Sequence, residues 1–427
     1  MTVEAGVNAL YQVQGIQKEW NFASRDYYNT QVNSIEPIAN KVNELTGSGF
    51  ARMDNTVPDT ANDGMKYNFN ALSQFSSVRN SNASSIMRQL GFHTDSTYLN
   101  LRYPGNTLLM DSIFGIKYNI SQAQPPKFGF SPVSNALSNL SKNSNAMGLG
   151  VFVPNGFEDA KFTDKAQASS FINNQTALVN ALTKSKTTFF TPFYTTSEET
   201  ADKITGAGNS VTLTRPKTST ATDVSVTYGI TNITYLNSNA ENTLITISDV
   251  SNPKMTRSLN SYYVGTNDTG SFLNLGSFSK ETKLKVTLAF PENSQVTFDT
   301  TSFWRLDTEA YQKEMALLQS RSPKTEMIKN GVRMTYREKE KGDIFLTIPY
   351  DKGWSAKVDG KKVAVSKAQS GFMKVSVPAG SHRLELKFFP NGLKEGIICF
   401  ILGILLFIGY NYFTNKPKKS GGTKNES

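Results

Sequence analysis

A chain of 427 residues is long enough for two or three domains with cores of their own. Hydrophobic residues at 38% and aromatics at 11%, with 27 Phe and 17 Tyr available for burial, exclude a disordered chain. The formal net charge of +10 would suit nucleic acid, an anionic cell-wall polymer or an anionic membrane surface, but the basic residues are scattered and do not choose among them.

In chain order, the first segment reads as a helix, with Val7, Leu10 and Tyr11 at i, i+3, i+4. A second helix is expected over Thr30–Leu45, with Ile35, Ile38 and Val42 on one face despite Pro37. A third is expected over Ser84–Leu90. Asn80–Ser85 and Ser134–Ser144 are rich in small polar residues and read as turns or β-edges. Leu108–Ile120 reads as a short helix followed by a strand, and Ala166–Thr183 as a helix with Phe171, Leu178 and Leu182 on one face.

From about Thr187 the period changes to two. Val211 and Leu213, then Val224, Val226 and Tyr228, then Ile245 and Ile247, then Leu284, Val286 and Leu288 alternate with polar residues between turn signals. This spacing predicts an antiparallel β-sandwich or jelly roll. Asp307–Gln319 closes that region as a helix, Asp307 capping it and Tyr311, Met315 and Leu318 forming its apolar stripe.

A smaller β unit follows from about Thr325 to Pro390. The run Arg333–Lys341 alternates with Glu338 and Glu340 and reads as a solvated face. Ile344, Leu346 and Ile348 share a face, and so do Met373, Val375 and Val377. Val358-Asp359-Gly360-Lys361 is a hairpin signal, because Asp-Gly tolerates the positive φ of a type I′ turn. Leu384, Leu386 and Phe388 oppose Arg383, Glu385 and Lys387 before Pro390 and Gly392 end the strand.

Gly396–Phe413 is an uncharged stretch that reaches ~27 Å as a helix, just enough to cross the hydrocarbon core. Tyr410 and Tyr412 suit an interface, and Pro417 ends the helix. The tail carries Lys416, Lys418, Lys419 and Lys424 against Arg383, Lys387 and Lys394 on the other flank, which favours a cytoplasmic C-terminus. The single cysteine, Cys399, lies inside this stretch, so an intrachain disulfide is excluded. The N-terminus MTVEAGVNALYQVQGIQKEW has no basic n-region, apolar core or cleavage site. Two expectations remain: residues 1–395 stay in the cytoplasm as a tail-anchored domain, or earlier transmembrane helices carry them across.

Chemistry-bearing motifs are few. His93 and His382 are far apart, and no metal-ligand spacing, phosphate loop or GxSxG occurs; no catalytic residue, cofactor site or metal site is assigned. The distinctive cluster is Tyr350-Asp351-Lys352-Gly353-Trp354. Trp354 and Tyr350 could form an aromatic platform for a sugar ring, with Asp351 accepting hydroxyl hydrogen bonds. The plainer expectation is that Trp354 packs in the small β unit and Gly353 makes the turn before it. Asp351 and Asp359 as an acid–base pair is rejected, since the hairpin turn accounts for Asp359.

IPYDKGWSAKVDGKKV, then GFMKVSVPAGSHRLELKFFP and an apolar helix, resembles the C-terminal end of the bacterial YfhO family. Upstream, Ser76-Ser77 with Asn80 and Asn82, Leu90-Gly91, Leu108–Tyr118 ending in GIKY, Gly150–Val153, FINNQTALVNALT and Leu275–Phe278 fall in the order that resemblance requires. It implies a GT-C-type glycosyltransferase architecture: many N-terminal transmembrane helices, a large external region and a last helix. It also implies sugar transfer from polyprenyl-phosphate donors to teichoic acid, with the catalytic acidic residue in a region this chain lacks. The resulting expectations are a mixed α/β extracytoplasmic region over 1–185, a β-sandwich with a terminal helix over 186–322, a small antiparallel β domain over 323–393, a transmembrane helix over 394–413 and a basic cytoplasmic tail over 414–427. The fold class is thus α+β followed by antiparallel β-sandwich or jelly-roll-like domains and one C-terminal transmembrane helix. The expected partners are the membrane, teichoic acid and a missing N-terminal transmembrane region, with no nucleic acid. The alternative is a non-catalytic, membrane-anchored glycan-binding or scaffold protein.

Overall fold

The computed structural model describes residues 2–19, 24–56, 58–78, 80–94, 99–103, 107–120, 127–133, 139–163, 168–192 and 307–415, together with nine strands between 203 and 306. The described helices are α1 (Thr2–Glu19), α2 (Arg25–Thr46), α3 (Asp63–Lys66), α4 (Ser81–Gln89), α5 (Leu108–Ile113), α6 (Ala168–Thr183), α7 (Thr308–Ser320) and α8 (Leu393–Thr414).

Four of these helices start where a short polar side chain satisfies the first free amides. The Ser24 hydroxyl accepts from Tyr27 N–H at the start of α2, Thr107 caps α5, and Asp307 accepts from Glu309 and Ala310 at the start of α7. Asn80 caps α4 through Asn82 and Ala83, so the Asn80–Ser85 run expected as turn or edge is a helix start. The Asn80 side chain finds its partners in the first helical turn, and Asn82 Nδ2 donates to the distant Tyr350 carbonyl. Ile35, Ile38, Ala39 and Val42 make the buried face of α2, with Pro37 tolerated inside it. By contrast, Val7, Leu10 and Tyr11 of α1 are all exposed.

In the first region a four-stranded sheet runs Arg52–Asn55, Ile116–Ile120, Leu140–Asn143, Phe130–Pro132; its first pair is parallel and the others antiparallel. Residues 134–138 of the expected polar edge lie outside the described residues. The expected β-rich region forms two antiparallel sheets. One includes Val226–Ser238 flanked by Ser302–Leu306 and Ser294–Phe298, and the other orders Ser210–Pro216, Lys283–Ala289, Asn242–Asp249, Asn252–Tyr262. Val224 lies outside the described residues.

The small β unit contains a five-stranded sheet: Lys324–Ile328, Gly331–Glu338, Gly380–Phe388, Trp354–Val358, Lys361–Val363. Asp359 at φ 47° and Gly360 at φ 82° make the expected tight hairpin. Its second sheet orders Ser366–Ala368, Phe372–Val377, Gly342–Pro349 and then Gly150–Pro154, a strand contributed by the first region. Gly342–Pro349 is buried on both faces over most of its length, where one buried face was expected. Ile344 and Leu346 pack with Val332, Met334, Leu384 and Leu386 between the two sheets. Phe345, on the opposite face, joins a second core with Phe114, Phe157, Phe372, Tyr311 and Met315. α8 is apolar all round, without a buried residue, and is long enough to span a bilayer.

Candidate functional site

A cleft of about 490 Å³ opens between the first region and the five-stranded sheet. One wall is Phe50, Met65 and Phe69; the other is Met327, Val332, Trp354 and Phe388. The polar lining comes from Asn62, Asn70, Ser73, Gln74 and Asn330, with Arg52 at its base.

Much of this polar lining is fixed by bonds elsewhere, which makes the walls rigid. Asn62 Nδ2 donates to the Phe75 carbonyl at 3.2 Å and its Oδ1 accepts from Phe75 N–H at 2.8 Å. Asn70 Nδ2 donates to the Ala51 carbonyl at 3.1 Å. The Arg52 guanidinium donates to the Phe114 carbonyl at 2.6 Å, to Thr347 Oγ1 at 3.0 Å and to the Thr347 carbonyl at 2.8 Å, and lies 5.0 Å from the Phe50 ring centre. Burial lowers its pKa to about 10, with Tyr103 opposing. Its tight hydrogen bonding makes it a brace between the sheets.

Trp354 is half-buried, its ring 5.2 Å from that of Phe388, and it lines the cleft while packing against the core between the sheets. The packing expected of Trp354 is present, and the same ring also faces the cleft. Tyr350 and Asp351 are not among the cleft-lining residues. The ring of Tyr350 packs against the same core, its N–H donates to the Gly371 carbonyl, and its carbonyl accepts from Asn82 Nδ2. Asp351 Oδ1 accepts from Gly353 N–H at 2.7 Å, closing the turn before Trp354. Gly353 is required there, since a Cβ would meet the Phe389 carbonyl and, at 2.7 Å, the Phe388 ring. Asp359 accepts from Arg383 N–H at 2.9 Å and stands 2.6 Å from His382 Nδ1. That contact holds the Asp359 carboxyl below, and the His382 ring above, its ordinary pKa.

Sequence reasoning did not find Phe50, Met65, Phe69, Asn62 or Gln74. No short-range pattern marks them, because they meet Trp354 only through the fold. A second polar cluster lies buried in the first region: Lys127 Nζ is 2.8 Å from Asp111 Oδ2, and Tyr103 Oη donates to Asp111 Oδ1 at 3.1 Å. No group of three or more His, Cys, Asp or Glu side chains able to hold a metal occurs among the described residues.

With one apolar helix fit to span a bilayer among the described residues and sheets ahead of it, the architecture is that of a membrane-associated protein with a large folded region. Residues 1–400 match the family described as bacterial membrane protein YfhO, and the chain belongs to that family. The uncharacterized protein YfhO of Bacillus subtilis (strain 168) is 30% identical over 98 residues, a stretch that spans 22% of this chain and 11% of that protein. Among solved structures, the chain is distantly similar to the arabinofuranosyltransferase AftD from Mycobacteria, seen by single-particle cryo-EM. It aligns with a TM-score of 0.15 and 10% identity over 70% of this chain and 31% of its own, a likeness too weak to assign a fold.

Proposed function

We propose that this chain is the extracytoplasmic region of a YfhO-type glycosyltransferase of the GT-C class, modifying cell-envelope polymers such as teichoic acid, and that the cleft at Trp354 receives the saccharide. On this reading residues 1–393 lie outside the membrane, α8 spans it and the tail is cytoplasmic. Family membership over residues 1–400 is the observation that carries the proposal. Three features support it. The indole of Trp354 and the rings of Phe50, Phe69 and Phe388 offer apolar faces to sugar C–H groups, and Gln74 and Asn330 stand at the lining to meet hydroxyls. The net charge of +10 suits an anionic polymer. No catalytic residue is assigned to this region, whose proposed part is to hold the acceptor.

The test is the sugar content of teichoic acid extracted from cells lacking the protein, and from deletion cells complemented with full-length wild type or Trp354→Ala. Sugar should disappear in the deletion, return with wild type and return only partly with Trp354→Ala at equal protein level. Unchanged sugar content in the deletion would reject the transferase reading. Glycan binding by the purified chain in that case would identify a non-catalytic, membrane-anchored binding protein.

A further inference from the structure

The five-stranded sheet has two unlike ends. At one end lie the start of Trp354–Val358, the end of Gly380–Phe388 and the turn between Lys324–Ile328 and Gly331–Glu338. The register fixes this: Trp354 pairs with Phe388, Gly331 with Lys387 and Ile328 with Gly331. The tips are stitched together by Phe388 N–H donating to the Asn330 carbonyl at 2.8 Å and Phe389 N–H to the Gly353 carbonyl at 3.0 Å. At the other end Glu338 pairs with Gly380, roughly 26 Å away along the strand.

The first end carries exposed Lys329, Lys352, Lys387 and Lys394. The carboxylates near it are mostly engaged. Asp351 is tied to Gly353 N–H, Glu385 to Arg333 Nε at 2.9 Å, and Glu326 lies within 3.9 Å of Arg333. Glu395 sits in the first turn of α8. The second end carries Arg337, Lys339, Lys341 and Arg383 against Glu338, Glu340 and Asp359, so charge alone does not set the two ends apart. Two large apolar side chains, Met327 and Phe389, are exposed at the lysine-bearing end.

That same end leads into α8. Only Phe389, Pro390, Asn391 and Gly392 separate the last strand from the helix, a reach of at most ~14 Å. α8 has no buried residue, so it does not fold back on the sheets. With α8 in the bilayer, the four-residue connection leaves this end at the headgroup layer.

We propose that the end of the sheet formed by Lys329, Lys352, Lys387, Met327 and Phe389 is a docking surface for the anionic bilayer, with the lysines on lipid phosphates and the two apolar side chains at the acyl boundary. Continuity with α8 and the two exposed apolar side chains select this occupant over a soluble partner, and the lysines beside them complement lipid phosphates. Because Met327, Asn330, Trp354 and Phe388 also line the cleft, docking turns the cleft mouth toward the membrane. The inference does not depend on the transferase reading.

The experiment uses the full chain carrying Cys399→Ser, labelled with an environment-sensitive fluorophore at Met327→Cys or, as control, at Lys339→Cys. It is reconstituted in nanodiscs of phosphatidylglycerol or phosphatidylcholine doped with a headgroup nitroxide lipid. The Met327 label should be strongly quenched in phosphatidylglycerol and less in phosphatidylcholine, and the Lys339 label quenched in neither. Adding 1 M salt, which shortens screening to about 3 Å, should remove the lipid dependence, as should Lys329→Gln, Lys352→Gln and Lys387→Gln combined. The salt arm stands if that variant fails to fold. Equal quenching of the two labels overturns the docking surface. Strong quenching at Met327 that ignores lipid charge and salt overturns the role of the lysines.

Discussion

Asp54 lies on the Arg52–Asn55 strand, in parallel register with Asn119, and is only 6% exposed. Its Oδ2 accepts no hydrogen bond among the described residues. Burial pushes its pKa from 3.8 up to about 7; Lys127 opposes the rise, and Asp111 and Asp63 add to it. The folded protein therefore holds this proton between pH 3.8 and about 7, where the unfolded chain has released it. Stability rises as pH falls through that window, and the full penalty is felt above it. At ~1.36 kcal/mol per unit the penalty above pH 7 is on the order of 4 kcal/mol. Asp54→Asn keeps the shape and removes the charge. In urea unfolding of the full chain in detergent, the variant should be clearly more stable than wild type at pH 8, with the gap closing toward pH 5. A variant no more stable than wild type at pH 8 would mean that Asp54 is charged and matched in the fold, and would refute the reasoning.

Lys127→Met should cost about 3–5 kcal/mol, because it strands the buried Asp111 carboxylate with Tyr103 as its remaining partner; adding Asp111→Leu should recover most of the loss in the same urea assay. Asp343 is buried, its Oδ2 accepting from Phe157 N–H and Lys374 Nζ, both at 2.9 Å, and its Oδ1 from Ser376 Oγ at 2.7 Å. Although burial raises its pKa, these bonds outweigh that and hold it below the usual value. Its contribution should be full above pH 3.8 and fade as pH falls through the lowered folded value, and Asp343→Asn should flatten that acid limb of the stability profile. Gly331→Ala would drive a Cβ into the Leu386 carbonyl and should cost about 3 kcal/mol or more, read as early proteolytic cleavage near the Ile328–Gly331 turn.

Elements whose stability is decided locally were legible in the sequence. The α7 cap at Asp307, the Asp359-Gly360 hairpin and the apolar stripe of α6 depend on neighbours within a few residues, and the structure has all three. The Asn80–Ser85 run misled because Asn serves both turns and helix caps, and only the geometry of the next two amides separates these uses. The Gly342–Pro349 strand misled in the other direction. Asp343 and Thr347 stand at positions that a period-two reading assigns to water. Both are buried, Asp343 against Ser376, Lys374 and Phe157, and Thr347 against Arg52. Trp354 was found because an aromatic beside a glycine turn is conspicuous. The opposite wall of its cleft, Phe50 and Phe69, carried no local mark.

The two-faced strand also explains why the cleft can hold its shape. Phe345 on one side and Ile344 with Leu346 on the other commit Gly342–Pro349 to two cores at once, and Gly150–Pro154 pairs along its edge. Arg52 then reaches from the parallel pair of the first region to Thr347 on this strand, with three donated bonds and Phe50 against its guanidinium. Sliding the first wall against the second would leave the buried Thr347 carbonyl without its Arg52 donor, at a cost of about 1–3 kcal/mol. A lysine could not replace this brace, because one ammonium lacks the planar fork that serves two separated carbonyls and a hydroxyl together. The cleft is therefore set by the same contacts that join the sheets, and its width resists change as long as both cores stay packed.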